Sequence, residues 1–116
     1  MAILGERTYE IFALLDIPPA TKAASGRYLR SATLFPGIRY WAGHGRQKDF
    51  FGVQFFGEGL EDAAQYRQAL ANAGFASRTP QPSQLTFCRE IDFLTDGGAD
   101  ETAIKQAKVA LDEIIR

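Results

Sequence analysis

The stretch Asp49–Gly59, DFFGVQFFGEG, sets four phenylalanines in two adjacent pairs around Gly52-Val53-Gln54. Successive side chains of a strand point to opposite faces, so a half-buried strand alternates apolar and polar residues. This one is apolar on both. Phe51, Val53 and Phe55 share one parity, and Phe50 and Phe56 share the other. A sheet built around such a strand needs cover on two sides, and the rest of the chain decides how much it receives.

Arg7–Ile17, RTYEIFALLDI, is rich in aromatic and branched residues and stops at Pro18-Pro19, which reads as a strand. In that reading Tyr9, Ile11, Ala13 and Leu15 share one face, and Phe12 and Leu14 the other. Residues 20–35 admit two readings. Ala20, Ala23, Ala24, Tyr28 and Ala32 recur near helical spacing, but Gly26 costs a helix about 1 kcal/mol relative to alanine. The extended alternative is YLRSATLF. FPG then signals a turn, IRYWAGHG a strand, and GHGRQKD a polar hairpin loop into FFGVQFFG.

GEGLEDAAQYRQALANAG reads as a helix. Glu58, Glu61 and Asp62 suit the positive end of its dipole, and Gly74 suits the left-handed position past its end. Leu60, Ala63, Tyr66, Leu70 and Ala73 form its apolar stripe. After the proline-bearing loop ASRTPQPSQ, LTFCREIDFL alternates as a strand. Leu85, Phe87, Ile91 and Phe93 lie on one face, and Cys88, Glu90 and Asp92 on the other. TDGGAD turns into a last helix with the stripe Ile104, Ala107, Leu111 and Ile114.

The expected fold is α+β in a single globular domain over residues 1–116. It is either ferredoxin-like, with the split β-α-β pattern, or a related mainly antiparallel sheet with two to three helices packed on one face. The helices are too few to cover both faces. The open side is expected to carry Phe12, Leu14, Trp41, Phe50 and Phe56, and an open apolar face marks an interface or a ligand groove.

Composition narrows the function. The formal net charge is −1 and the pI about 5.8, which argues against nucleic acid, whose binders carry a basic face. The densest basic run, Arg27, Arg30, Arg39, Arg46 and Lys48, reads as a solvated face. The single cysteine, Cys88, excludes an intramolecular disulfide framework. The start of the chain lacks a basic region before its apolar stretch, so no signal peptide is expected. No run approaches the roughly 20 apolar residues of a membrane helix, and the expected location is the cytoplasm.

Chemistry-bearing constellations are sparse. One His and one Cys cannot make a zinc cluster. TDGGADE lacks the order of a calcium loop. The acids of GEGLED would repel a phosphate at that helix start. No metal and no cofactor is expected. Cys88 with His44 is a conceivable nucleophile and base, but Glu90 and Asp92 beside the thiol would raise its pKa and oppose it. Glu90 and Asp92, two apart on a strand, point to the same side as Trp41, Phe50 and Phe56. Carboxylates beside aromatics hold organic cations by charge and cation–π attraction; the plainer alternative is a surface ion pair with Arg39 or Arg89.

The leading expectation is a small-molecule-binding module, a homodimer with an aromatic and acidic pocket for a small apolar or cationic ligand. Its residues are Trp41, Phe50, Phe56, Glu90 and Asp92. The alternative is a protein–protein interaction or inhibitor module using the same face. A small enzyme with a carboxylate acid/base ranks third.

Overall fold

A computed structural model describes residues 6–22, 28–45, 48–77, 83–91 and 101–115. The elements in chain order are α1 (Glu6–Leu14), β1 (Pro19–Lys22), β2 (Tyr28–Phe35), β3 (Ile38–Gly45) and β4 (Lys48–Phe56). A 3-10 turn (Gly57–Leu60) leads to α2 (Ala63–Asn72), and β5 (Ala76–Ser77), β6 (Gln84–Ile91) and α3 (Glu101–Ile115) complete the series. The strands form one sheet in the order β1-β2-β3-β4-β6-β5, and every pairing is antiparallel. The fold is therefore α+β with an open antiparallel sheet. The ferredoxin-like strand order is not found among the described strands. β1 to β4 instead run as a meander, and α2 leads on to β6, which pairs with β4.

The first element corrects the sequence reading. Residues 6–14 are a helix, not a strand. Ile11, Phe12 and Leu15 lie at i, i+1 and i+4, which is one helical face, and all three are buried. Phe12 accordingly sits in the core rather than on the open side of the sheet, and Leu14 packs against that core. Residues 20–35 resolve in favour of strand where they are described, in β1 and β2.

α1 and α2 stop in the same way. In α1 the Ile17 N–H donates to the Phe12 carbonyl at 2.9 Å and the Asp16 N–H to the Ala13 carbonyl at 3.2 Å. In α2 the Phe75 N–H donates to the Leu70 carbonyl at 2.8 Å and the Gly74 N–H to the Ala71 carbonyl at 3.0 Å. Both are Schellman motifs, each closed by an apolar contact between the residue past the turn and the helix. They differ at the left-handed residue. Gly74 (φ 90°) has no side chain to strain there, whereas Asp16 (φ 56°) does.

All three helices pack on one face of the sheet. β4 is central, and its register sets Ile38, Phe55 and Leu85 in one cross-strand row, Tyr40, Val53 and Phe87 in the next, and Ala42, Phe51 and Arg89 in the third. Phe51, Val53 and Phe55 are fully buried against Ile11, Leu70, Ile104 and Leu111. Phe55 meets Phe87 edge-on at 5.8 Å between ring centres and stacks on Tyr66 at 5.9 Å. Arg89, on this apolar side, is half-buried and lays its stem beside the bare Cα of Gly74.

The β2–β3 turn is locked to the turn that precedes α2. Pro36 and Gly37 occupy the centre of the hairpin, and Gly37 has φ 80°, as position i+2 of a type II turn demands. Phe56 N–H donates to the Gly37 carbonyl at 2.9 Å. Gly37 and Gly59 then pack backbone to backbone, with a Cβ on Gly37 falling 2.6 Å from the Gly59 Cα.

β2 is irregular. Its pairing with β3 shifts between Arg30 and Thr33 and again before Phe35, which marks bulges. At the first, the Ser31 hydroxyl accepts the Tyr40 N–H at 2.9 Å and donates to the Ala32 carbonyl at 2.7 Å. A side chain replaces a ladder bond there. β1 pairs with β2 only as far as Pro19 opposite Ser31.

Candidate functional site

The sheet face away from the helices carries the residues that sequence parity assembled. One row crosses the sheet through Arg39, Gln54 and Thr86, a second through Arg30, Trp41, Gly52 and Cys88, and a third through Gly43, Phe50 and Glu90. Trp41, Phe50, Phe56 and Glu90 thus stand on one face of three adjacent strands. Asp92 lies outside the described residues, as do Arg27, Arg46, Phe93 and the acidic turn of residues 95–100.

The layer is ordered by polar contacts as well as rings. Arg39 Nε donates to Gln54 Oε1 at 2.8 Å. Gln54 Nε2 donates to Thr86 Oγ1 at 3.1 Å and reaches Gln84 Oε1 at 3.4 Å. With that chain holding it, the Arg39 guanidinium carbon sits 4.0 Å from the centre of the Phe56 ring, within the range of a cation–π contact. Phe56 already has a cation on its face. The indole of Trp41 folds along its own strand over Gly43, where any Cβ would collide with the six-membered ring. The glycine is what allows the ring to lie flat.

The centre of this face is shielded. Trp41 is 7% exposed, Cys88 5% and Gln54 3%. Cys88 is a free thiol. His44 pairs in register with Asp49 at the far end of the β3–β4 hairpin, in a row of opposite parity to that of Cys88. The register does not bring the two together. Among the described residues no three His, Cys, Asp or Glu side chains are placed to share a metal ion, and no helix is long and apolar enough to cross a membrane.

No family model, curated protein or solved structure matches this chain. Its own geometry has to carry the reading.

A concave feature lies on the other side of the molecule. A groove of about 310 Å³ opens between the end of α1, the β2 segment from Ser31 to Leu34, and Lys108 of α3. At one side of it Tyr40 O–H donates to Asp112 Oδ1, and Lys108 Nζ pairs with Asp112 Oδ2 at 2.7 Å. The sequence reading had no line to this groove. Its apolar walls come from Leu15 and Ile17, taken there for strand residues.

Proposed function

We propose that the protein is a binding module whose recognition surface is the sheet face opposite the helices, and that the surface it recognises is a second copy of itself. The observation that carries this reading is the Arg39–Phe56 layer, pinned through Gln54 and Thr86 beside a flat-lying Trp41. Around the buried Trp41, the half-buried Arg39, Phe50 and Phe56 and the exposed Glu90 are the groups of this face that a partner can touch. Tryptophan, other aromatics and arginine lead the residues that carry binding energy at protein interfaces. The face is also self-complementary in charge. Arg39 stands in the row at one end and Glu90 in the row at the other, so a two-fold axis between facing copies sets each Arg39 against a Glu90.

Light scattering after size exclusion at micromolar concentration is expected to give twice the 12.8 kDa chain mass. Arg39→Glu should return the protein to monomer, and adding Glu90→Arg should restore the dimer. A concentration-independent 12.8 kDa species for the parent chain would sink the reading.

A second reading keeps the same face for a small organic cation, favoured by the cross-strand pairing of Phe50 with Glu90 beside Trp41. The chain has one tryptophan, so its fluorescence reports that ligand directly. Quenching by organic cations, weakened about ten-fold by Glu90→Gln, would place this reading first; ten-fold is about 1.4 kcal/mol.

A further inference from the structure

We propose that the groove at the C-terminal end of α1 binds a small organic ammonium ion, with Asp16 as its counter-charge. Three observations converge on Asp16. It lies just past the C-terminal end of a nine-residue helix, where the dipole is negative and favours a cation. α1 has no basic residue in its last turn. The chain therefore places an acid where electrostatics calls for a base.

Asp16 holds the left-handed position of a Schellman motif, where glycine is the residue of least strain, and the matching position after α2 is Gly74. Aspartate tolerates the left-handed region better than most residues, so what marks the position is the negative charge it sets against the helix dipole. Leu15, Ile17, Pro18, Ala32 and Leu34 give the groove apolar walls, and Asp16 stands among them.

Charge selects the ligand. Lys108, also at the groove, is paired with Asp112 at 2.7 Å, and Lys105 nearby is paired with Glu101 at 3.1 Å. No ion pair among the described residues involves Asp16. With Lys108 paired to Asp112, Asp16 is the one unpaired charge among the described residues that line the groove. Among the described residues β1 does not pair with β2 beyond Ser31, and the β2 backbone from Ala32 to Leu34 borders the groove. A volume of about 310 Å³ is at the small end of ligand sites, which fits one ring or a short chain carrying the charge.

The test is amide chemical-shift titration of the whole chain with benzylammonium, with benzyl alcohol and benzoate as neutral and anionic counterparts. Saturable shifts are expected at Asp16, Ile17, Thr33 and Leu34 with benzylammonium alone. Asp16→Asn and Asp16→Gly both suit the left-handed position, so both should keep a melting temperature at or above the parent's and bind at least ten-fold more weakly. Equal binding by either variant, or equal shifts with benzyl alcohol, overturns the proposal. So does a melting temperature that falls in both variants, since Asp16 would then be serving the helix end. Shifts confined to Trp41, Phe50 and Glu90 would also overturn it while supporting the cation reading of the sheet face. A monomeric mass in solution leaves it untouched.

Discussion

Replacing Phe55 with alanine is expected to cost about 3–5 kcal/mol of folding stability. Phe55 is fully buried in the central strand. Its ring is clamped between the edge contact to Phe87 at 5.8 Å and the stacked contact to Tyr66 at 5.9 Å. One partner belongs to the neighbouring strand and the other to α2. Truncation therefore removes buried area, leaves a cavity and loosens the contact that seats a helix on the sheet. Collapse into that cavity is hindered because Val53 and Phe51 on the same strand are themselves fully packed. Against a total of about 5–15 kcal/mol for a domain, the loss removes a large share of the stability. Chemical denaturation measures it, and a change below about 1 kcal/mol would mean that this ring is not a core element.

Gly37→Ala should destabilise by about 2–5 kcal/mol, for a different reason. The left-handed backbone strains a residue with a Cβ by about 1–2 kcal/mol, and overpacking adds about 1–3 kcal/mol. Here the new methyl meets backbone, the Gly59 Cα at 2.6 Å and the Phe56 carbonyl oxygen, so no side-chain rotation relieves it. Gly59→Ala tests the contact from the other side, since its Cβ would meet the Gly37 backbone. If denaturation curves place both variants within 0.5 kcal/mol of the parent, a difference of about the size of an ordinary surface substitution, the close approach of the two turns is wrong.

What could be read from the sequence follows from how local each signal was. The faces of β4 could be assigned, because strand parity needs only the alternation of Phe50 to Phe56 and one fact about which side is apolar. α2 and the described part of α3 could be placed from their stripes and, for α2, from Gly74 past its end. α1 could not. Ile11, Phe12 and Leu15 satisfy a helix, while Tyr9, Ile11, Ala13 and Leu15 satisfy a strand, and a short apolar run does not separate the two periods. A glycine past the helix end, the usual stop signal, would have decided it, but the left-handed position holds Asp16. That same substitution hid the groove, since reading Leu15–Ile17 as strand put its walls elsewhere. The proximity of Trp41, Phe50 and Glu90 required only parity and neighbouring strands. The clamp of Arg39 on Phe56 depended on the β3–β4 register, which sets Arg39 opposite Gln54 and which the alternation within either strand alone does not fix.

The meander has a kinetic consequence. From Pro19 to Phe56 each strand pairs with the next along the chain, so those ladders close over short loops at small entropic cost. β6 is separated from β4 by residues 57–83, so its pairing joins segments far apart in sequence. Non-local pairings of this kind form late and open early. Native-state hydrogen exchange should therefore divide β4 along its length. Amides bonded toward β3 should exchange only on global unfolding, and alternate amides bonded toward β6 should also exchange through a partial opening that releases β6 with β5. Uniform protection of both sets would show instead that β6 and the meander melt as one unit.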